Sequence, residues 1–241
     1  MRATSPEANV LPGTESSSTA DPRTLVPTWD HELELHSRGI SLIAGVDEAG
    51  RGAWAGPLVS AAVIFPHPDM LAAMAPVDAF AAELSMLRDS KMLSHVVREK
   101  LLEAVQATAC AVGVGVVSSA LIDVIGVGPA NRLAMARAVR DLGIWPDFLL
   151  VDAFKIHSMP IPQRPIIKGD ATCMTIAAAS VVAKVTRDHM MEALDAEYPG
   201  YDFSQHKGYG THLHVEALLR LGVSPIHRRC FAPIGAMMGE T

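Results

Sequence analysis

The stretch Ser41–Phe65 reads SLIAGVDEAGRGAWAGPLVSAAVIF and places a pair of adjacent carboxylates between two apolar runs. The first run, Leu42–Val46, is short and is bounded by a glycine-rich loop, which predicts a buried strand. The second run, Leu58–Phe65, contains β-branched residues and predicts another strand. Asp47 and Glu48 follow the first strand, where two ionised groups close together would be poorly solvated. A hard divalent cation with oxygen ligands is the obvious candidate to stabilise them.

The loop after the carboxylates holds Arg51 between Gly50 and Gly52. Glycine permits positive φ and lets a backbone approach a ligand closely, and an arginine between two glycines is well placed to meet a phosphate. The alternative interpretation is a glycine hairpin that joins two core strands, with both carboxylates solvated at its edge.

Length and composition indicate one domain with appendages, since the chain has 241 residues of which 49% are hydrophobic. No apolar run approaches the roughly 18 to 20 residues of a membrane span, and the N-terminus has no signal-peptide pattern. Three widely separated cysteines without a C-x-x-C pattern argue against a disulfide framework and favour a reducing cytoplasm. The net charge of −6, half of it in residues 1–38, is only a weak objection to a nucleic-acid substrate.

Strand and helix patterns predict an α/β domain with a mixed β-sheet flanked by helices, followed by a small C-terminal helical part. Residues 1–28 are expected to be a disordered N-terminal extension, residues 29–195 the catalytic domain, and residues 196–241 a helical part that binds substrate. Further strands are predicted at Cys110–Val117, Phe148–Val151 and Arg164–Lys168. Helices are predicted at Asp30–Arg38, from Ser94 as N-cap to Thr108, from Pro129 to Leu142, from Gly169 to a stop at Pro199, and finally at His212–Leu221.

Two more acids stand at the ends of predicted elements. Asp152 terminates a buried strand as Asp47 does, so the two could meet if their strands are neighbours. Asp170 lies at the mouth of the long predicted helix, where a simple N-cap is the alternative interpretation. Three or four acids around one or two Mg²⁺ ions would serve phosphodiester hydrolysis.

The segment Ser204–His214, SQHKGYGTHLH, is a candidate nucleic-acid contact. Tyr209 could stack on a sugar or base, and Lys207 could hold a phosphate. Lys184, on the polar face of the long helix, is a further substrate-binding candidate. The alternative is a zinc site built from three histidines, which no cysteine supports; they are His206, His212 and His214. Arg228 and Arg229 are interpreted as backbone-contacting or solvated residues rather than catalytic ones.

Taken together, these features resemble the ribonuclease HII family, the type 2 ribonucleases H, from about residue 41 to residue 232. The resemblance rests on five motifs in the order of the family: GVDEAGRG (Gly45–Gly52), DSKML (Asp89–Leu93), LVDAF (Leu150–Phe154), KGDATCMTIAAASVVAKVTRD (Lys168–Asp188) and HKGYGT (His206–Thr211).

The resemblance implies a ribonuclease H-like fold and Mg²⁺- or Mn²⁺-dependent endonucleolytic cleavage of RNA in RNA–DNA hybrids. It also implies incision on the 5′ side of single ribonucleotides embedded in duplex DNA. By the same resemblance, the glycine–arginine–glycine loop holds the backbone around the ribonucleotide, and Tyr209 packs against the sugar and senses the 2′-hydroxyl. The four catalytic and metal-binding acids would be Asp47, Glu48, Asp152 and Asp170.

Two departures from the family pattern stand out. Ala53-Trp54 replaces a common proline, and Ala153 replaces a common glycine after the third acid. The expected partners are RNA–DNA hybrid and ribonucleotide-containing duplex DNA, with no membrane and with a monomeric, cytoplasmic protein. Two rival functions stay open: another ribonuclease H-like metal nuclease that acts on DNA, and a catalytically silent binder of hybrids.

Overall fold

One mixed β-sheet forms the centre of the protein in the computed structural model, which describes residues 25–73 and 83–239. Its strands in these ranges are β1 (Ile43–Ala49), β2 (Leu58–Ile64), β3 (Ala111–Val117), β4 (Phe148–Asp152) and β5 (Gln163–Ile166). They are ordered β3-β2-β1-β4-β5 across the sheet. β2 pairs antiparallel with both β1 and β3, whereas β4 pairs parallel with both β1 and β5. The predicted α/β fold with a mixed sheet is therefore confirmed.

Helices cover both faces of the sheet, which explains why the central strands read as continuous apolar runs. In the described ranges they are α1 (Asp30–Ser37), α2 (Pro68–Ala73), α3 (His95–Thr108), α4 (Ser119–Ile125), α5 (Val127–Asp141), α6 (Gly169–Thr172), α7 (Met174–Glu197), α8 (Phe203–His206), α9 (His212–Leu221) and α10 (Ala232–Met237), with a 3₁₀ turn at Ser90–Met92. No helix among these residues is long and apolar enough to cross a membrane.

Alternate residues of β2 belong to two separate cores, as the period of a strand requires. Ala61 and Val63 pack with residues of α3 and α7 on one face. Ala62 and Ile64 pack with residues of α5 on the other face. A third cluster joins Ala55 to the C-terminal residues, among them Tyr201, Phe203, Leu218 and Ile234, and to Met191 of α7. The division of the chain at residue 195 stays a prediction.

The prediction of one long helix from Gly169 is wrong in one respect, because the helix is interrupted at Cys173. That residue has extended backbone angles (φ −125°, ψ 127°) and separates the short α6 from α7. The buried Glu32 of α1 takes the place of an N-cap, since its Oε1 accepts hydrogen bonds from Thr175 N and Oγ1, both at 2.8 Å. A cap supplied from so far along the chain leaves no local sequence signal.

Three other predictions need correction. β1 continues to Ala49, so Asp47 and Glu48 lie within the strand rather than after it. His212–Leu221 is a helix as predicted, but it is not the final one, because Ala232–Met237 follows. Residues 1–24 of the predicted extension lie outside the described residues, while Thr28 is bonded into the fold through Thr172 O and Met174 N.

The contact between β1 and α7 is tight enough to require glycine at position 45. A Cβ on Gly45 would overlap the backbone of Thr175 and Ile176, which cannot rotate away. We expect Gly45→Ala to lower the free energy of unfolding by about 1–3 kcal/mol, measured by denaturant unfolding. The control is Gly128→Ala in α5, whose Cβ would make only an ordinary contact with Arg132. Equal stability of the two variants would contradict the close packing.

Candidate active site

Parallel pairing of β1 with β4 brings three of the predicted acids together. Val46 lies opposite Val151 in the register, so Asp47 and Asp152 are the next residues of two neighbouring strands. Glu48 follows Asp47 on β1, and all three carboxylates line one cavity. The expectation that Asp47 and Asp152 meet in space is borne out by this pairing.

The fourth acid, Asp170, reaches the same region from α6. The N–H of the adjacent Gly169 donates a 2.8 Å hydrogen bond to Asp152 Oδ1, which fixes α6 against the end of β4. Asp170 lies inside α6, whose N-cap is Lys168, so the simple N-cap interpretation is wrong. Asp170 lines a second cavity that adjoins the first, since Asp152 and Lys91 line both.

Burial raises the pKa of every one of these carboxyl groups, and repulsion by a neighbouring carboxylate, which is Asp89 in the case of Asp170, raises it further. Asp47 is only 6% exposed, and burial followed by the charges of Glu48 and Asp152 raises its pKa well above its ordinary value. Burial is also the first cause of the raised pKa of Glu48, Asp152 and Asp170. The site therefore concentrates negative charge that the protein alone does not fully compensate.

The donor set fits a hard divalent cation in its chemistry. It consists of carboxylate oxygens alone, and Glu48 Oε2 is buried without a hydrogen-bond partner among the described residues. As the side chains stand, no three His, Cys, Asp or Glu among those residues form a group that could hold a metal ion. Asp47 Oδ1 instead accepts a hydrogen bond from Glu48 N at 2.7 Å. The carboxylates thus offer the right atoms, arranged around two adjoining cavities.

The glycine loop, Gly50–Pro57, forms one wall of the cavity. Gly50, Arg51 and Gly52 all line it beside the acids. Gly50 has a φ of +85°, a conformation that favours glycine. The Arg51 guanidinium lies 4.4 Å from the centre of the Phe154 ring, which holds the side chain at the cavity.

Two of the three predicted substrate-binding residues outside the glycine loop line this cavity. Lys184 and Tyr209 do so, and Tyr209 is 36% exposed. Lys207 is not among the lining residues; its Nζ forms a 2.6 Å ion pair with Glu192. The long helix and the C-terminal loop thus each contribute one residue to the cavity.

Comparison with known proteins agrees with this arrangement. The sequence matches the Ribonuclease HII family over residues 44–234. A Ribonuclease HII of Dehalococcoides mccartyi strain BAV1 is 50% identical over 218 residues, which are 90% of this chain and 98% of the relative. The chain belongs to the ribonuclease HII family. A Ribonuclease HII of Geobacillus kaustophilus is 50% identical over 204 residues, 85% of this chain and 73% of the relative.

A solved structure supports the same family fold. The ribonuclease H2 from Pyrococcus horikoshii OT3 superimposes with a TM-score of 0.66 at 25% identity, covering 82% of this chain and 97% of that one. Ribonucleases HII are endoribonucleases that act on the RNA of RNA–DNA hybrids, and dependence on a divalent metal is general to the family.

Lys91 is a site residue that was not predicted, although it lies in the DSKML motif of the ribonuclease HII resemblance. Asp89 Oδ1 accepts a hydrogen bond from Lys91 N at 3.0 Å and so starts the 3₁₀ turn. The turn carries Lys91 Nζ to within 3.4 Å of Asp170 Oδ2. The signal that could have identified Lys91 is its place in this motif.

Two other residues at this site gave no sequence signal. Asn131 is 3% exposed on α5, and its side chain opposes the effect of burial on the pKa of the Glu48 carboxyl group. Arg98 of α3 lines the cavity and forms a 3.6 Å ion pair with Asp188. Both lie on helices that read as ordinary amphipathic segments.

Of the two departures from the ribonuclease HII pattern, one has a visible backbone consequence. Ala153, after the third acid, has a φ of +54°. This left-handed conformation favours glycine, so alanine there is strained by about 1 kcal/mol. Trp54 instead packs in the C-terminal cluster, 5.8 Å from the ring of His214.

The alternative zinc site is contradicted by the histidine contacts. The side chain of His212 is 88% exposed, whereas His206 and His214 are buried. His206 Nδ1 accepts from Gly208 N, and its Nε2 donates to Tyr201 O. With both ring nitrogens of His206 already bonded and His212 exposed, the three histidines do not form one zinc site.

Instead, His214 and His227 form a chain of hydrogen bonds, the histidine relay, that ends on the Tyr209 loop, residues 207–211 between α8 and α9. Ser224 N donates to His227 Nδ1 at 2.9 Å, so His227 carries its proton on Nε2 and donates it to His214 Nε2 at 3.0 Å. His214 Nδ1–H then donates to Tyr209 O at 3.0 Å. The relay requires both rings to be neutral.

The carboxylate cluster should make the metal-free protein less stable at neutral pH. The raised pKa means that the folded state binds more protons than the unfolded state, so this cost grows as pH rises above the ordinary range of aspartate. We expect Asp47→Asn to raise Tm in EDTA by about 2–4 °C, equivalent to roughly 1 kcal/mol. Mg²⁺ should raise the Tm of the wild-type protein more than that of the variant.

The control for this comparison is Glu103→Gln, which removes one charge from an exposed position on α3. Its Tm in EDTA and its response to Mg²⁺ should match those of the wild-type protein. A Tm of Asp47→Asn at or below the wild-type value would mean that the carboxylates do not repel one another.

The histidine relay should make the fold sensitive to acid. Burial lowers the pKa of His214 and His227 to about 4 from 6.5, so between these values the unfolded state binds more protons. The contribution of the two neutral histidines to the free energy of unfolding is fully present above pH 6.5. It is lost as pH falls toward 4, by about 1.4 kcal/mol for each unit of pKa shift. We expect the free energy of unfolding to fall less steeply over this range in His227→Gln.

The carboxylates change the free energy of unfolding with pH in the opposite direction. Because the wild-type protein and His227→Gln share them, the difference between the two pH curves removes that effect. His212→Gln, at an exposed position, serves as the control and should follow the wild-type pH curve. Parallel curves for His227→Gln and the wild-type protein would rule out the neutral relay.

Proposed function

We propose that this protein hydrolyses the RNA strand of RNA–DNA hybrids and incises duplex DNA on the 5′ side of a single embedded ribonucleotide. The observation that carries this proposal is one cavity lined by Asp47, Glu48 and Asp152, by the glycine loop and by Tyr209. Carboxylates alone would suit many metal-dependent hydrolases. A backbone loop and an aromatic ring beside them provide surfaces for a phosphate and a sugar.

The proposed metal ligands are Asp47, Glu48, Asp152 and Asp170, with Mg²⁺ or Mn²⁺ as the cation. When bound, the cation would supply Lewis-acid activation and neutralise charge on the leaving oxygen. The protein contributes a fixed set of oxygen donors whose mutual repulsion favours a cation among them. Lys91, which neutralises part of the charge of Asp170, would keep that carboxylate oriented.

Substrate binding is assigned to Gly50, Arg51, Gly52, Lys184 and Tyr209. In the part of the chain that the structure describes, the N–H groups of Gly50, Arg51 and Gly52 have no hydrogen-bond acceptor, so they are free to bind a phosphate. The Tyr209 ring would pack on the ribose, where the 2′-hydroxyl is the group that differs between RNA and DNA. Lys207, through its ion pair with Glu192, would hold the Tyr209 loop against α7.

These residues come from one chain, so we propose a monomer that works on nucleic acid in the cytoplasm. Residues 29–195 would supply the acids and the glycine loop, and residues 196–241 would supply Tyr209. The extension of residues 1–28 is assigned no role.

The test is an incision assay on a labelled DNA duplex that carries one ribonucleotide, in Mg²⁺ and in EDTA. We expect a single nick on the 5′ side of the ribonucleotide that EDTA abolishes, and no cleavage of an all-DNA duplex. Asp47→Asn should lower the rate by at least about 100-fold, because it removes a charged ligand from the reacting centre. Glu103→Gln should cut at the wild-type rate.

Tyr209→Ala separates the two parts of the proposal. It should slow incision at the single ribonucleotide more than cleavage of a long RNA–DNA hybrid, since only the former depends on sensing one 2′-hydroxyl. Equal cleavage of the all-DNA duplex would favour a DNA nuclease. Mg²⁺-independent binding of hybrids without any product would favour a silent binder.

A further inference from the structure

Two buried arginines lie beneath the glycine loop. Arg187 of α7 and Arg228, which follows α9, each have 0% exposure. Arg228 donates from Nη1 to Gly50 O at 2.7 Å and to Arg51 O at 3.1 Å. It also donates from Nε to Gly56 O and from Nη2 to Pro57 O, both at 3.0 Å. One guanidinium therefore holds both ends of the loop.

Arg187 connects the same loop to Tyr209. Its Nε donates to Pro57 O at 2.9 Å and its Nη2 to Ala55 O at 3.1 Å. The guanidinium carbon lies 5.3 Å from the centre of the Tyr209 ring. A Cβ on Gly50 would overlap the Arg187 side chain, so the loop rests directly on this arginine.

Neither arginine has a carboxylate partner within ion-pair distance in the described chain. The acid nearest in sequence, Asp188, is held by Lys184 at 2.6 Å and by Arg98 at 3.6 Å. Buried charges are normally paired, whereas here the acceptors of both guanidinium groups are backbone carbonyls, and Arg187 Nη1 has no hydrogen-bond partner among the described residues. Burial and then the charge of Arg187 lower the pKa of Arg228 to about 9, so Arg228 remains protonated at neutral pH.

The two arginines bond the carbonyl groups of the glycine loop and so affect the face of the loop that lines the cavity. With their carbonyl groups bonded to Arg228, Gly50 and Arg51 keep N–H groups that have no acceptor among the described residues. Two positive charges without a counter-ion lie behind those N–H groups. A phosphate is the ligand that matches both features.

We propose that Arg187 and Arg228 are positioning residues for a phosphate of the nucleic-acid strand. They hold the glycine loop and Tyr209 in one arrangement and place uncompensated positive charge behind the loop. The inference rests on the proposed function and deepens it, since it names what makes the loop a phosphate site. Neither arginine touches the reacting atoms.

The experiment measures binding of the ribonucleotide-bearing duplex at a series of KCl concentrations, with Asp47→Asn present in every protein so that cleavage during the measurement is negligible. Arg228→Met should raise Kd about tenfold and lower the slope of log Kd against log[KCl] by about 1, because one phosphate contact is lost. Arg228→Lys keeps the positive charge but loses the planar guanidinium that bonds several carbonyl groups at once. It should therefore raise Kd while preserving the slope of log Kd against log[KCl]. In the active background, Arg228→Met should raise KM about tenfold and change kcat less than about threefold.

The matched control is Arg220→Met, which removes an exposed arginine bonded to Gly200 O and should leave Kd, slope and KM unchanged. All proteins are compared well below their Tm, after correction for the folded fraction. If Arg228→Met does not fold, Arg187→Lys tests the same loop with the charge retained and should raise Kd.

Folded arginine variants with wild-type Kd and slope would overturn the inference, and so would a loss of affinity that only follows the folded fraction. Failure of the proposed function appears elsewhere, as absence of cleavage by the unsubstituted protein. The binding measurements do not depend on that result.

Discussion

Repulsion among buried carboxylates is the constraint on which the rest of the structure depends. The parallel register that sets Val46 opposite Val151 forces Asp47 and Asp152 to be neighbours. Hydrophobic burial of both strands makes that register costly to change, because a slip of one residue would move each side chain into the core on the opposite face of the sheet, where it does not fit. The core thus holds the acids where electrostatics alone would separate them.

Positive groups surround this cluster without closing it. Lys91 reaches Asp170, Arg51 lies over Phe154 at the cavity wall, and Lys184 and Arg98 share Asp188. Each of these cations is partly occupied by a protein partner, so none cancels the charge of Asp47 and Glu48 outright. A site whose charges are only partly neutralised by other groups of the protein is suited to bind a cation and a polyanion together.

The sequence predicted the parts of the protein whose signals are local. Strand composition located β1, β2 and β3, and Ser94 as N-cap located α3, where its Oγ accepts from Val97 N. The glycine loop and three of the four acids were placed in one cavity as their positions suggested. These predictions succeeded because burial and backbone conformation are read over a few residues.

The contacts that the sequence did not predict have a different physical cause, since each joins residues far apart in the chain. Glu32 supplies the cap that starts α7, and no pattern near Cys173 reveals it. Asn131, Arg187 and Arg228 act on the site only because folding brings three separate segments to the acids or to the glycine loop. The phosphate contact predicted for Lys207 stays a prediction, and the ion pair of this side chain with Glu192 is likewise a contact that no local pattern reveals.

Charges of both signs are left incompletely compensated on the two sides of the glycine loop. Asp47 and Glu48 lie at its beginning, and Arg187 and Arg228 lie beneath it. Each set raises the cost of folding, since a charge removed from water without a partner is unfavourable. A cation would relieve the first set and a phosphate would relieve the second, so binding both at once favours the folded arrangement more than either alone. This suits an enzyme that uses a metal ion to cut a polyanion. The electrostatic cost of the unpaired charges is lowest when metal and substrate occupy the site together.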